Sequence, residues 1–128
     1  MSTTISHIAL VVRDPARTAH LFETLFGVKP VLPKQERKGP AETFISIGGA
    51  WFVLVLGEPA AARTDDHIAF SVPEDQLSAL AAKLTVLGIE SQMSRAGTAA
   101  KSLYFVDYDN HLFELHTGEL ERELSDEI

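Results

Sequence analysis

Three side chains that could bind one metal ion occur at strand-like positions of this sequence. His7 and His67 lie sixty residues apart and begin the similar segments His-Ile-Ala-Leu and His-Ile-Ala-Phe. Glu114 lies within a third apolar segment, Leu-Phe-Glu-Leu. Two imidazoles and one carboxylate suit a divalent first-row ion such as Mn, Fe or Zn, and they leave positions open for water or substrate oxygens. An open site of this kind predicts Lewis-acid chemistry.

Each of these residues also has a simpler interpretation. A histidine that begins a strand is usually a surface residue or a hydrogen-bonded one. The shared position of His7 and His67 in two similar segments argues against coincidence. A carboxylate inside the apolar segment around Glu114 would be costly to bury without a cation or a donor nearby. The three residues together therefore predict a metal site.

The sixty-residue offset continues along the chain and predicts two tandem βαβββ modules, hence an α+β fold in a single domain, 1–128. In the first copy Asp14 and Pro15 provide a helix start, and Gly27 can end the helix. In the second copy an apolar stripe at helical spacing ends at Gly88. The predicted modules cover about 5–56 and about 66–118, with a linker at 57–65 and a tail at 119–128, a short helix or a frayed end. The predicted strands are 6–12, 29–32, 43–47, 51–56, 67–72, 90–93, 102–106 and 112–116.

Composition limits what this scaffold can do. With 128 residues, 45% of them hydrophobic, the chain can bury one ordinary core. The absence of cysteine means that a metal would be held by nitrogen and oxygen and that the protein supplies no thiolate nucleophile. A net charge of -7 disfavours nucleic acid as a partner. We see no basic leader and no apolar run of roughly 18 residues, so we expect a cytoplasmic protein that binds a small molecule and no membrane.

Strand alternation predicts which side chains face the helices and which face the opposite, concave side. We expect Leu10, Ile45 and Leu103 on the helix side. At the sixty-residue offset Glu114 corresponds to Leu54, so a fully symmetric pair of modules would supply four ligands and this chain keeps three. The residues expected on the concave side with the two histidines are Ala9, Val11, Glu42, Phe44, Ser46, Ala69, Ser71, Ser102 and Tyr104.

The module order and two motifs resemble a known superfamily. The motifs are Asp66 to Phe70 and the long segment Ser102 to Gly118, with the sequence SLYFVDYDNHLFELHTG. They are similar to the vicinal oxygen chelate superfamily of glyoxalase I, extradiol dioxygenases and antibiotic-resistance proteins, and within it to the fosfomycin-resistance enzymes. The resemblance implies a divalent metal, with Mn(II) favoured over Zn, Fe, Ni or Co, held by His7, His67 and Glu114.

The resemblance also implies a choice between two reactions. One branch of the fosfomycin-resistance enzymes adds a thiol to the epoxide, and the other adds water with a glutamate base. Glu42 falls at the position that resembles this base, and alternation independently predicts it on the concave face. In the implied mechanism the metal polarises the epoxide C–O bond, and Glu42 takes a proton from the attacking water. A glutamate at a strand start is otherwise a solvated residue.

A dianionic phosphonate bound to a protein of net charge -7 would need local donors. Several residues lie at suitable positions, although the cations among them could equally be ordinary surface residues and the aromatic ones ordinary core-edge residues. We expect the substrate to be bound by residues drawn from Lys101, Ser102, Tyr104, Trp51, Phe44, Arg122 and Arg95.

Several positions depart from the family pattern. Ala9 and Asp65 stand where hydroxyl-bearing residues are usual. Glu123 stands where an arginine is expected, with Arg122 one residue earlier, and Lys101 replaces another arginine. The metal chemistry therefore looks intact while phosphonate recognition looks altered, which leaves a related epoxide open as substrate.

Two other classes remain open at this point. One is a different metalloenzyme of the same fold, namely a thiol transferase, an isomerase or lyase, or an Fe(II) dioxygenase. The other is a non-catalytic protein that holds a small molecule in an apolar cup formed by Phe44, Trp51, Leu54 and Tyr104.

Single modules leave open sheet edges, so we expect a homodimer. The resemblance leaves two pairings open, because His7 could share an ion with His67 and Glu114 of its own chain or of a second copy. Among the other histidines, we expect His20 and His111 to be solvated. His116 shares the face of Glu114 and is a candidate partner for a metal ligand.

Overall fold

The computed structural model describes residues 2–34, 39, 41–95 and 100–126, with the side chains of Arg95 and Asp126 excepted. The chain divides into two compact units, Met1–Ala61 and Ala62–Ile128. The elements, in chain order, are β1 (His7–Val12), α1 (Pro15–Phe26), β2 (Glu42–Ile47), β3 (Ala50–Leu56), β4 (His67–Ser71), a 3-10 turn (Glu74–Gln76), α2 (Leu77–Val86), β5 (Ser91–Arg95), β6 (Lys101–Val106), β7 (Leu112–His116) and α3 (Leu120–Asp126).

The first unit is a three-stranded sheet with one helix. Its strand order is β1-β3-β2, in which β1 and β3 are parallel and β2 is antiparallel to β3. Helix α1 begins as the sequence predicts, because the Asp14 side chain accepts a hydrogen bond from the backbone N–H of Arg17, 3.1 Å away. The helix ends at Gly27, which adopts a positive φ of 70° that favours glycine.

The core of this unit lies between the helix and one face of the sheet. Phe22 of α1 and Phe52 of β3 are buried, and their ring centroids lie 6.2 Å apart. Leu10, Val12 and Ile45 fill the space around them. The residues that alternate with these core positions point to the opposite face of the sheet.

The second unit repeats this arrangement with a fourth strand. Its strand order is β4-β7-β6-β5, with β4 and β7 parallel and the remaining pairs antiparallel. The apolar stripe of α2 packs onto the sheet through Leu77, Leu80 and Leu84, as the helical spacing predicts. Phe105 and Phe113 stack across β6 and β7, with ring centroids 5.3 Å apart. The α+β fold predicted from the repeat is therefore confirmed.

One predicted strand is absent from the first unit. Residues 29–32 form a single bridge between Val31 and Phe44, where the sequence predicts a strand. Val31 and Phe44 exchange both backbone hydrogen bonds, so the next such pair would need a backbone N–H from residue 33, and Pro33 has none. The first sheet therefore has three strands, and its counterpart in the second unit has four.

The two hairpins differ in length by one residue, and this corrects an expected equivalence. Ser46 pairs with Trp51 across the first turn, whereas Val106 pairs with Leu112 across the second. The offset between copies therefore increases from 60 to 61 on the last strand. The expectation that Glu114 corresponds to Leu54 is wrong.

The register identifies the true counterpart. Ala9 pairs with Val53 in the first unit, as Ala69 pairs with Glu114 in the second. Leu54 is fully buried on the helix side and does not belong to an apolar cup on the concave face.

The remaining predictions about strand faces are confirmed. His7 and Ala9 are exposed, while Leu10 and Val12 are buried. In β2, Thr43, Ile45 and Ile47 are buried and alternate with half-buried neighbours. No described helix has both the length and the apolar character required to cross a bilayer.

Candidate metal centre

The centre of the second unit is a contact between a histidine of β4 and a glutamate of β7. The His67 Nε2 atom lies 3.1 Å from the Glu114 Oε1 atom. The parallel pairing of β4 with β7 sets Glu114 beside Ala69, one alternation beyond His67 on the same face. Two of the three predicted metal ligands therefore meet in the structure.

A main-chain carbonyl group orients the imidazole of His67. Its Nδ1 atom lies 2.9 Å from the Asp65 carbonyl oxygen, which can only accept, so Nδ1 carries the proton. This hydrogen bond is the largest of the effects that raise the pKa of His67. Burial opposes it, and the nearby Glu114 carboxylate adds to the rise. The arrangement directs Nε2 towards Glu114, as a carbonyl commonly does for a histidine that binds a metal.

Glu114 is buried, with 11% of its side chain exposed, and it is held by several donors. The Ser102 hydroxyl donates to Glu114 Oε2 across 2.6 Å. The His116 Nδ1 atom lies 3.1 Å from the same oxygen. A carboxylate with these partners can be buried in an apolar strand because its oxygens are satisfied. Ser102 therefore supports Glu114, and its expected contact with a substrate stays a prediction.

The chain of contacts continues to the C-terminal helix. The His116 Nε2 atom lies 2.6 Å from Glu123 Oε1. Gly118 allows this approach, because a Cβ at that position would collide with the Glu123 carboxylate. His116 therefore lies between two carboxylates, which supports its expected role as a partner of Glu114.

The first unit carries the third predicted ligand. His7 is exposed at the start of β1, and its Nδ1 atom lies 3.0 Å from the Ser6 hydroxyl oxygen. Within the described part of one chain, no three His, Asp or Glu side chains lie close enough together to hold an ion. The ligand set of His7, His67 and Glu114 stays a prediction.

Glu42 and His7 lie on the same face of the first sheet but at different positions along the strands. Residues that pair across neighbouring strands form one row. The register places His7 beside Trp51 and Glu42 beside Val55, in the row of Val11. Four residues separate the two rows, which is roughly 13 Å along the strands. This separation favours a role for Glu42 other than that of a ligand to an ion held by His7.

Two predicted aromatic residues lie on the same face as Glu42. Phe44 is half-buried and exchanges two backbone hydrogen bonds with Val31. Trp51 is 44% exposed although it is large and apolar. Their contact with a substrate stays a prediction.

Of the predicted cations, Lys101 is paired with a carboxylate on the helix side of its sheet. Lys101 belongs to the helix side of β6 by alternation, and its Nζ atom lies 2.9 Å from Glu74 Oε1. Arg122 is exposed on α3, and it is its neighbour Glu123 that reaches His116. The side chain of Arg95 lies outside the described residues.

A cavity of about 900 Å³ lies in the second unit and is lined mainly by residues of β5, β6 and the segments that flank them. Tyr104 lines the cavity and also packs edge-on against His67, with ring centroids 6.1 Å apart. Sequence reasoning identified Tyr104 but missed most of the other residues, because they come from the linker, from β5 and from the turn after β6. Among these residues are Arg63, Glu90, Gln92, Ser94 and Tyr108.

The turn between β6 and β7 corrects the expectation for His111. This histidine is half-buried, and its Nδ1 atom lies 2.7 Å from the buried Asp107 Oδ2 atom. The other oxygen of Asp107 accepts backbone N–H bonds from Asp109 and His111, each at 2.9 Å. His111 is thus part of the turn that joins two site-bearing strands. His20, by contrast, is exposed on α1 as expected.

This turn predicts a pH-dependent stability. The hydrogen bond with Asp107 raises the pKa of His111 above its ordinary value of 6.5, against the opposing effect of burial. Because the folded state holds the proton more tightly, the stabilisation is complete below pH 6.5 and disappears as the pH rises through the raised pKa. We expect His111→Gln to lower the free energy of unfolding by about 1–2 kcal/mol more at pH 5.5 than at pH 9.

Urea denaturation at the two pH values measures this difference. His20→Gln, which changes an exposed histidine, is the matched control and should show no such dependence. An equal loss at both pH values in His111→Gln would mean that the charged pair contributes nothing.

Comparison with known proteins gives a consistent result. The sequence model of the glyoxalase/bleomycin resistance protein/dioxygenase superfamily matches residues 4–115. The fosfomycin resistance protein FosX of Listeria innocua is 35% identical, over 97% of this chain and 96% of its own. The metallothiol transferase FosB of Lysinibacillus sphaericus is 32% identical, over 94% of this chain and 86% of its own.

A solved structure supports the same relationship. A glutamate-to-glutamine mutant of the FosX protein of Listeria monocytogenes, complexed with Mn(II) and 1S,2S-dihydroxypropylphosphonic acid, superposes on the chain with a TM-score of 0.86. The two are 32% identical, and the match covers 100% of each chain.

Proposed function

Because the chain belongs to the glyoxalase/bleomycin resistance protein/dioxygenase superfamily, we propose that it is a divalent-metal-dependent enzyme that opens a small epoxide by adding water. The observation that carries this proposal is the contact between His67 and Glu114, with Tyr104 packed against His67 and lining a cavity. The full-length similarity to FosX proteins supports the reaction class. A vicinal diol, such as the compound bound to the FosX mutant, is the product that hydration of an epoxide gives.

The proposed ligands are His7, His67 and Glu114, and the proposed ion is Mn(II). The residues of the second unit fit an ion, since His67 presents Nε2 and the carboxylate of Glu114 is held in place by Ser102 and His116. Imidazole nitrogen and carboxylate oxygen are common ligands of Mn(II) and its neighbours. An ion bound here would supply Lewis acidity, which weakens the C–O bond of an epoxide.

Glu42 is the proposed general base. Its carboxylate takes a proton from a water as the oxygen of that water forms a bond to a ring carbon. The C–O bond of the ring to that carbon breaks, its electron pair remains on the oxygen, and a proton completes the second hydroxyl. One water is consumed and one diol is formed. The half-buried position of Glu42, away from the row of His7, fits a base better than a ligand.

Thiol transfer is the second candidate. The FosB similarity favours it, although at lower identity than the FosX similarity. Because the chain has no cysteine, the thiol would have to come from a small molecule.

A homodimer in the cytoplasm is also part of the proposal. The concave face of the first unit exposes Val11 and Trp51 in addition to His7. Exposed apolar side chains beside a predicted ligand suit a face that a second surface covers.

The product formed from fosfomycin distinguishes the two reactions. We expect the protein with Mn(II) to convert fosfomycin to the diol at a rate that is independent of added glutathione, as followed by phosphorus NMR. EDTA should stop the reaction, and Mn(II) should restore it. Formation of an adduct only in the presence of thiol would reassign the chain to the transferase reaction.

A further inference from the structure

The series of contacts from Glu114 through His116 ends at the carboxylate of Glu123. An anionic substrate would need positive charge at this site. Glu123 lies 2.6 Å from His116, which in turn lies 3.1 Å from Glu114. Two carboxylates therefore flank one imidazole on the face that carries the proposed metal ligands. Gly118 clears the space that Glu123 occupies, so the contact depends on a small residue at a defined position. A dianion at this place would be repelled.

Two described cations, Lys101 and Arg63, each lie next to a carboxylate. Lys101 pairs with Glu74 on the helix side of its sheet, at 2.9 Å. Of the described residues that line the cavity, the one cation is Arg63, and its guanidinium lies 3.8 Å from the Asp65 carboxylate. Glu90 lines the same cavity. The described residues that line the cavity therefore offer no surplus of positive charge to a phosphonate.

The cavity is also larger than a three-carbon epoxide requires. Its volume of about 900 Å³ lies in the upper part of the roughly 300–1,000 Å³ range in which pockets hold drug-sized ligands. Tyr104 and Tyr108 contribute aromatic surface, while Gln92 and Ser94 contribute uncharged polar groups. Aromatic walls with a few uncharged polar groups suit an apolar or aromatic substituent.

Tyr104 connects this cavity to the reacting centre. Its ring packs against His67, and its backbone position pairs with Glu114 in the register of β6 and β7. A substituent on an epoxide held at the proposed ion would therefore reach the cavity along the ring of Tyr104.

Resting on the proposed function, we infer that the preferred substrates of this site are epoxides with an uncharged, aryl-sized substituent in place of a dianionic group. The chemical step is the same, since one water adds across one C–O bond of the ring and gives a vicinal diol without a further reactant. Glu123 is the residue that sets the preference against the dianion. It acts through charge at the site and takes no part in bond making.

Phenyl glycidyl ether and fosfomycin are the probes that test this inference. With the Mn(II)-loaded protein, we expect kcat/KM for phenyl glycidyl ether to exceed that for fosfomycin by at least about tenfold. Glu123→Arg should raise kcat/KM for fosfomycin by about tenfold or more, mainly through KM, and should change the value for phenyl glycidyl ether much less. Glu123→Gln should give a smaller gain. Glu121→Gln, which removes an exposed carboxylate of the same helix, is the control and should change neither.

Binding of the two product diols, measured by isothermal titration calorimetry, gives a readout that needs no turnover. Tighter binding of the phenyl glycidyl ether diol supports the inference even if neither epoxide reacts, and in that case only the proposed reaction fails. Preferred turnover of fosfomycin and tighter binding of its diol by the wild type would overturn the inference and leave the proposed hydration intact. Equal effects of Glu123→Arg on both substrates would remove Glu123 as the determinant and overturn the inference as stated.

Discussion

Glu114→Gln should abolish Mn(II)-dependent turnover and weaken Mn(II) binding by more than about 100-fold, since loss of a mere supporting partner already costs about 10–100-fold. Glutamine keeps the shape of the side chain but removes the charge that an ion requires. In the wild type Glu114 accepts from Ser102 and contacts His67 and His116, so the carboxylate is already oriented for this purpose. Titration calorimetry with Mn(II) measures the affinity directly.

Thermal unfolding provides the independent measurement. An ion that binds the folded state alone raises the melting temperature, and this rise should be present in the wild type and absent in Glu114→Gln. Glu58→Gln, at an exposed residue paired with Arg13, is the control and should keep the rise. Wild-type affinity for Mn(II) in Glu114→Gln would exclude Glu114 as a ligand.

Glu42→Gln should lower kcat for epoxide hydration by about a hundredfold to ten-thousandfold, the usual contribution of a general base. Because Glu42 lies in a different row from His7, the variant should bind Mn(II) with the affinity of the wild type. This combination of lost turnover and retained metal separates a base from a ligand. Stopped assays for diol formation and the same calorimetry give the two values.

A different combination would reject the assignment of Glu42. Unchanged kcat would mean that water is activated without this carboxylate. A parallel loss of Mn(II) affinity would show that Glu42 binds the ion. Glu58→Gln again serves as the matched exposed change.

The duplicated scaffold could be predicted because its signals are local and periodic. Alternation along β1 and β2 separates Leu10 and Ile45 from His7 and Glu42, and the structure has the same faces. Asp14 and Gly27 marked the two ends of α1 through chemistry that depends on a few adjacent residues. Patterns of this kind need no knowledge of distant contacts.

The errors came from features that depend on turn length and on missing backbone donors. A fixed offset between the copies paired Glu114 with Leu54, but one extra residue in the second turn moves the true partner to Val53. The apolar residues around Val31 suggested a strand, yet the segment forms one bridge, and Pro33 lacks the backbone N–H that the next pair would need. Neither effect changes the hydrophobic pattern, so pattern alone could not detect them.

The side-chain partners of the candidate site could be predicted only in part. Glu123 reaches His116 from a helix that follows the last strand, and Lys101 turns to Glu74 on another element. These contacts depend on tertiary placement, for which the sequence gives no spacing rule. The pair of Asp107 and His111 could have been suspected, because an aspartate and a histidine four residues apart surround a turn.

The one-residue difference between the hairpins has a consequence for redesign. Val53 has the same position relative to His7 as Glu114 has relative to His67. The first unit therefore has the backbone arrangement of the His67 and Glu114 pair, with an aliphatic side chain in place of the carboxylate. Val53→Glu would place a carboxylate at the position that corresponds to Glu114. An engineer who copied the carboxylate by counting sixty residues back would instead place it in the hydrophobic interior at Leu54.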